Sequence, residues 1–381
     1  MISSCLMPYY PKYSILDEII SDNNYKKMNI FIDLKNTLQT LYMKNVILLM
    51  TENIKKSNFL DTSILQSVLE FLSWHKIYSL KRGIEINFYI FYDFGNSFYH
   101  QNVDKKYKIS RKIDDLFGLD SVTREMFFTV IQRNLKILEK LGNKIPNTHV
   151  LVLEHLESDF VPYYILRNNL IELDEKNCHI IYSNDHDLMQ CLYICDHVFQ
   201  FRKLGKNKSV LRKSDVPNKY LKHQTSLLPE HLPLAMGIIG EIGDDVKGIT
   251  GIGKKTVEHA ISDLLKIYTD QELYKKILKN EELFPQELDY YKNIFSNKIT
   301  IKVVEQEKNE KRFSKSLKLT SFEILSRFFD DANTTEAFKR KENFINIFKN
   351  KESVSLPSLK KALSMNKIFI NEDDLDILFY K

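Results

Sequence analysis

Cysteine is scarce in this chain. Only Cys5, Cys178, Cys191 and Cys195 occur among 381 residues. None forms a Cys-x-x-Cys pair and none stands at metal-ligand spacing to a histidine, which argues against a thiolate metal centre. Cys191 and Cys195 would share a helix face. A redox pair is one reading of them; buried reduced thiols in a reducing compartment is the simpler one. Long apolar runs are missing as well. NVILLM and MGIIG are core-sized, well short of the ~20 residues of a membrane span. The first residues lack a basic segment followed by an apolar stretch, so no secretory signal is read there. The expectation is a soluble, intracellular protein. Internal repeats and low-complexity tracts are absent, and so is a large excess of one charge. The 55 Lys and Arg against 50 Asp and Glu leave +5. That balance says little about partners unless the acids gather at one place, which would leave the remaining surface more basic.

What is present is core-forming material: 43% hydrophobic residues, with 24 Phe and 20 Tyr. This suffices for one large domain or two ordinary ones. Four strand-like runs each end in carboxylates. MNIFID ends at Asp33, NFYIFYD at Asp93, HVLVLEHLESD at Glu157 and Asp159, and HIIYSNDHD at Asp185 and Asp187. The spacing predicts strands over 28–33, 86–92, 148–153 and 179–183. Helices are predicted over 34–56, from about Asp61 to Gly83, and over 121–141, 159–171 and 186–194. Alternating β and α elements imply a parallel sheet, whose ligands lie outside the carboxyl ends of the strands. Acids from four strands can therefore meet on one rim. Two bare carboxylates about 4 Å apart repel by roughly 4 kcal/mol at an effective dielectric of 20. Divalent cations between them resolve the repulsion, and hard oxygen ligands in this number suit Mg²⁺ or Mn²⁺.

The long charged excursion over 97–146 reads as a functional insertion. Residues 1–27 form an N-terminal extension. Residues 202–222 are dense in Lys and Arg and read either as a solvated hairpin or as a phosphate contact. From about 230 the pattern turns helical, with a boundary near 225, and 302–318 reads as a linker or exposed helix. The most specific local signal is GEIGDDVKGITGIGKKTVEHA, residues 240–260. Gly248, Gly251 and Gly253 make a hairpin that another backbone can approach closely. The helix that follows presents its N-terminal N–H groups with Lys254, Lys255 and Thr256, a natural cradle for phosphate. Glu241 and Asp244 stand just upstream, three apart, and suggest the second half of a metal site.

These motifs, in this order, resemble those of the 5′-nucleases: phage exonucleases and flap endonucleases, the nuclease domain of bacterial DNA polymerase I, and the eukaryotic flap endonucleases. The resemblance runs from about 28 to 270. Asp33 and Asp93 fall on the first two catalytic aspartates. Tyr107, Lys108 and Arg111 in YKISR match a Tyr-Lys-x-x-Arg motif. Glu157 and Asp159 fall on a Glu-Ala-Asp-Asp box, Asp185 and Asp187 on a Ser-Gly-Asp-x-Asp-Leu-x-Gln box. Asp244 with GITGIGKKT falls on a helix–three-turn–helix. Phe160 departs from the phage and bacterial pattern, which has a further Asp there, and puts the hold on a second metal in question. Glu241 replaces an Asp, and His100 stands near a usual Arg.

The resemblance implies a PIN-like α/β nuclease domain over 28–225, with 97–146 as an arch or clamp. A DNA-binding unit over 226–300 and a helical region over 301–381 would follow. It also implies two Mg²⁺ or Mn²⁺ ions and leaves a place for a monovalent cation at the glycine hairpin. Asp33, Asp93, Asp159 and Asp185 would be direct ligands. Glu157, Asp187, Glu241 and Asp244 would complete the set, and Tyr107, Lys108 and Arg111 would act at the scissile phosphate. The implied substrate is DNA with a 5′ flap, nick or RNA-primer end, cut by a monomer in the cytoplasm, or in the host-cell cytoplasm if the source is viral. Three rival readings are a structure-specific DNA-binding protein with a decayed site, a ribonuclease of the same acidic-rim architecture, and acids that are unrelated caps. The retained acid crowding argues against the first, and the hairpin over 248–256 against the second.

Overall fold

The computed structural model describes residues 13–21, 23–34, 57–94, 97–109, 121–154, 156–204, 207–295, 297–331, 354–365 and 371–380. Helix α1 (Tyr13–Ser21) precedes β1 (Lys27–Asp33), and α2 (Ser57–Arg82) leads into β2 (Glu85–Phe94). Then come α3 (Phe98–Val103), α4 (Ser121–Gly142), β3 (Thr148–Glu154), α5 (Val161–Arg167) and β4 (Asn177–Tyr182). Strands β5 (Val198–Leu204) and β6 (Asn207–Leu211) form a hairpin, followed by α6 (Val216–Leu221) and α7 (Leu232–Ile239). A two-stranded ribbon, β7 (Gly240–Glu241) and β8 (Val246–Lys247), connects to α8 (Val257–Leu264). Helices α9 (Asp270–Leu278), α10 (Leu288–Ile294), α11 (Lys298–Glu310), α12 (Arg312–Thr320) and α13 (Phe322–Asp330) follow, then α14 (Leu356–Met365) and α15 (Glu372–Phe379). No helix among the described residues is long and apolar enough to cross a membrane.

The six-stranded sheet runs β3-β2-β1-β4-β5-β6, parallel except for the edge strand β6. In β1 every residue after Lys27 is buried, as a central parallel strand covered on both faces requires. Its alternation divides the core. Met28, Ile30 and Ile32 face a layer with α1, α2, α4, α14 and α15, through residues such as Leu16, Leu72, Leu138, Leu363 and Leu378. Phe31 faces the other layer, with α5, α7, α8, α12 and α13. The chain winds from β1 outward through β2 to β3, then returns to the far side of β1 for β4. The switch point, where a crevice opens at the carboxyl ends, therefore lies between β1 and β4.

The strands and α4 lie close to their expected places, and Gly83, at φ 65°, ends α2 in the left-handed conformation that favours glycine. The helix expected over 34–56 falls almost wholly outside the described residues. Two other expectations give way. Residues 187–193 wind as a 3₁₀ helix rather than an α-helix. Its Gln190 amide donates to the Thr320 carbonyl (2.9 Å) and accepts from the Phe322 N–H (3.0 Å). The 302–318 segment is neither linker nor exposed helix. Val303, Val304, Phe313 and Leu317 are fully buried, with α12 packed on α7. Its many charges hid an apolar face at helical spacing.

Candidate functional site: an acidic crevice at the sheet's carboxyl edge

Parallel pairing brings the strand-end acids to one edge. Asp33 closes β1 opposite Phe91, and Asp93 lies two residues further along β2. Ser183 directly follows β4 and holds the crevice between the two halves of the sheet. Its hydroxyl donates to Asp33 Oδ2 (2.8 Å) and accepts the Asp185 N–H (3.1 Å). Asp185 Oδ1 in turn accepts the Asp187 N–H (3.0 Å). Two residues of β5, Gln200 and Arg202, hold this loop. Gln200 donates to the Ser183 and Asp185 carbonyls (3.1 and 2.6 Å), and Arg202 to the Asn184 carbonyl (2.6 Å). Both are buried, so Arg202 is no part of a solvated basic stretch. Polar residues at i and i+2, Gln200 and Arg202 in VFQFR, were the available signal.

Opposite this edge, the turn after α3 and the turn at 242–245 lock together. The Lys108 N–H donates to the Asp244 carbonyl (3.0 Å). Lys108 (φ 56°) and Asp245 (φ 60°) are both left-handed, at a cost of about 1 kcal/mol each for residues with a Cβ. The arrangement turns Tyr107 and Lys108 into the acids. The Tyr107 hydroxyl lies 2.9 and 3.1 Å from the two Glu157 oxygens and 3.3 Å from Asp244 Oδ2. The Lys108 ammonium pairs with Glu157 and stands 3.2 Å from Asp244 Oδ2. His100 stacks on Tyr107 at 4.5 Å between ring centroids, with Nε2 3.9 Å from Glu157.

The electrostatic consequence is uneven. Burial would raise the Glu157 carboxyl, but the His100 and Lys108 side chains and the hydrogen bonds from Lys108 and Tyr107 bring it down to about 2. Burial works against the Lys108 charge, yet Glu157, Asp159 and Asp244 together hold its pKa above the ordinary lysine value. Asp159 and Asp187 move the other way. Burial, then Glu157, Asp185 and Asp93, push Asp159 well up despite Lys108. Burial, then Glu241, Asp185, Asp159 and Asp244, do the same to Asp187. Each keeps a buried Oδ1 with no hydrogen-bond partner.

The structure thus gathers Asp93, Glu157, Asp159, Asp185, Asp187, Glu241 and Asp244 into one field, joined to Asp33 through Ser183, with Tyr107 and Lys108 among them. Arg111 lies outside the described residues. Among those residues no three acids form a ready-made metal-ligating cluster. The donor chemistry nonetheless fits hard divalent cations, because the buried Oδ1 atoms of Asp159 and Asp187 are acceptors with no donor supplied by the protein. Phe160 takes no part. It is 1% exposed and packs edge-on against Phe329 of α13 (5.5 Å) and Tyr164 of α5 (6.0 Å). Its ring lies in the core.

The glycine hairpin lies between α7 and α8. A Cβ on Gly248 would stand 2.1 Å from the Ile239 carbonyl oxygen, so the ribbon closes only with glycine there. Gly251 needs its positive φ of 82°. At Gly253 a Cβ would meet nothing within 4 Å, so no contact within the protein demands a glycine there. Lys255 is exposed and Thr256 half-buried before α8. Lys254 instead folds back, donating to the Tyr220 carbonyl (2.5 Å) over the Tyr220 ring.

The flap endonuclease of bacteriophage T5, solved in a complex with DNA and metal ions, superposes with a TM-score of 0.54. It is 15% identical, and the match covers 85% of this chain and all of that one. The T5 5′-exonuclease with divalent zinc ions bound gives 0.51 at 15% identity, over 84% and 99% of the two chains. The fold is that of the phage 5′-nucleases. A curated 5′-3′ exonuclease of Buchnera aphidicola is 27% identical over 150 residues, which are 38% of this chain. The chain spans only 45% of that relative's length. No family model matches. The resemblance read from the motifs thus extends to the 5′-nuclease fold.

Proposed function

We propose that the protein is a metal-dependent 5′-nuclease, both 5′-3′ exonuclease and structure-specific 5′-flap endonuclease. It would act as a monomer on DNA flaps, nicks or RNA-primer ends in replication or repair. The observation that carries this reading is the crevice itself: acids from four strand ends and the 241–244 turn share one field, with a buried Oδ1 of Asp159 and of Asp187 left without a donor. Two Mg²⁺ or Mn²⁺ ions held there would ionise an attacking water and stabilise the leaving 3′ oxygen. Asp33, Asp93, Asp159 and Asp185 are the direct ligands in this reading, and Glu157, Asp187, Glu241 and Asp244 complete the set. Tyr107 fixes Glu157 and Asp244, while Lys108, held charged, supplies a cation beside the scissile phosphate with Arg111 as its partner. Gly248, Gly251 and Gly253 shape the hairpin that meets the duplex backbone, with room for a monovalent cation. Lys255, Thr256 and the first N–H groups of α8 contact phosphate. Lys254 positions the hairpin against Tyr220.

The test is cleavage of a 5′-labelled flap duplex with Mg²⁺, Mn²⁺ or chelator, with Asp185→Ala alongside. Metal-dependent cutting near the junction that the variant loses, with flap binding kept, supports the reading. Binding without cutting under any metal would point to a structure-specific binding protein.

A further inference from the structure

Asp159 and Asp187 each stand on a short 3₁₀ helix, Ser158–Phe160 and Asp187–Tyr193, and the first of these runs directly into α5. Both stretches are fastened to one carboxylate, that of Glu323 in the first turn of α13, which is 6% exposed. Its Oε2 accepts the Arg167 Nε–H (2.6 Å) and the Tyr163 hydroxyl (2.9 Å) from α5. Its Oε1 accepts from Arg167 Nη2 (3.1 Å) and from Arg327 Nε (2.5 Å), one turn along α13. Tyr163 gives its only hydroxyl proton to Glu323, so the Tyr193 hydroxyl, 2.8 Å away, must donate to Tyr163. Gln190 ties the same 3₁₀ stretch to residues 320 and 322, at the α12–α13 junction. Two donors on each oxygen satisfy the Glu323 carboxylate, and the bidentate Arg167 pair fixes its direction.

The two acids need such a hold. Asp159 and Asp187 repel each other when ionised, and a 3₁₀ helix has poor hydrogen bonds of its own with which to resist. Their separation must therefore be imposed from outside. We propose that Glu323 is a positioning residue for the crevice: through Tyr163 and Arg167 on one side and Tyr193 on the other, it sets the spacing of Asp159 and Asp187. This rests on the nuclease reading above, in which both acids serve a divalent cation. Small divalent cations demand close to ideal geometry, with ligand oxygens at about 2.1 Å for Mg²⁺. A brace that governs two donor oxygens at once therefore governs how tightly the cation is held.

The experiment titrates Mn²⁺ into the metal-free full chain by calorimetry, without DNA, and records Tm alongside. Glu323→Gln breaks the hub. Tyr163→Phe keeps the ring and removes only the hydroxyl link. Leu378→Ala is the control, since Leu378 is buried on the other face of the sheet and its loss lowers stability without touching the network. Mn²⁺ affinity should fall about tenfold in Glu323→Gln and about threefold in Tyr163→Phe, as supporting partners of ligands typically do. Leu378→Ala should stay within about twofold of wild type despite its lower Tm, because distant sites act independently. Wild-type affinity in both network variants, or an equal loss in Leu378→Ala, would overturn the proposal and leave Glu323 as a brace of the fold alone. A wild type that binds no Mn²⁺ would bring down the metal-dependent reading and the positioning role with it.

Discussion

Glu157 and Asp159 are two residues apart, yet their carboxyls meet opposite fates. Glu157, with Asp244 across from it, is met by the Tyr107 hydroxyl and the Lys108 ammonium, and its pKa falls to about 2. Asp159, with Asp187, faces other acids, keeps an orphaned oxygen and is pushed well up. The same residue types in the same crevice thus divide into a half bonded to the internal counter-charge and a half that feels it only at a distance. The first half carries its own cation as folded. The second is complete only when a cation comes from outside.

The largest effects should come from removing the uncompensated half. Replacing Asp159 and Asp187 together by Asn should cut flap cleavage by a factor on the order of 10³ or more, as expected when metal-ligating groups are lost. In chelator the same double variant should be more stable than wild type by on the order of 1 kcal/mol, because buried repulsion is relieved. Urea unfolding with EDTA reads this directly, and a less stable double variant would contradict the division. Lys108→Ala attacks the other half and should act with the opposite sign. Leaving Glu157 and Asp244 without their cation should cost about 3 kcal/mol in chelator. Saturating Mg²⁺ should return part of that loss, since a bound ion can replace the ammonium. If Mg²⁺ returned none of it, the two halves would not share one field.

Phe160 sharpens the boundary of the uncompensated half. It follows Asp159 directly and stands where the resemblance to the 5′-nucleases leads one to expect a further acid, but its ring belongs to the α13 contact. Phe160→Leu should cost about 1 kcal/mol as a near volume-conserving core change. It should leave the Mg²⁺ concentration for half-maximal cleavage within about twofold of wild type. A marked shift in that midpoint, at unchanged stability, would place position 160 on the rim after all.

Much of this was legible in the sequence because strand-end position is a local property. An apolar run of six or seven residues ending in Asp places that carboxylate at a sheet's edge, and parallel pairing gathers the edges. Asp33 and Asp93 reach that edge by this rule alone, whereas Asp159 lies five residues past β3 and Asp185 three past β4. The glycine hairpin was legible for a similar reason, since Gly248 answers to a contact only nine residues away in sequence. What sequence could not give was direction. Whether residue 160 faces rim or core depends on Phe329, 169 positions later. The inward turn of Lys108 depends on its bond to Asp244, and the fold-back of Lys254 on Tyr220. Arg202 read as one more charge in a basic stretch until the β4–β5 pairing placed it under the Asn184 carbonyl. The buried face of 302–318 was masked by its mixed charges.

The smallest effect is also the one that most directly weighs the two halves against each other. In chelator, Glu157 contributes stability that is present above its unfolded value near 4.3 and is lost as pH falls toward about 2. Asp159 and Asp187 have raised values, so their contribution is fully present below the unfolded value near 3.9. It is lost as pH rises through their folded values. The metal-free protein should therefore be most stable at mildly acidic pH, with Tm declining by a few °C toward neutral and alkaline pH. Mg²⁺ binds the deprotonated acids and stabilises by mass action. Its Tm increment should therefore grow with pH, filling in the decline that chelator reveals. Melts from pH 5 to 8, with and without Mg²⁺, measure that increment. The Asp159→Asn, Asp187→Asn double variant should flatten both curves. A Mg²⁺ increment that stays constant across the range would mean that the acids are already ionised and compensated in the empty crevice, and the contrast between its halves would be lost.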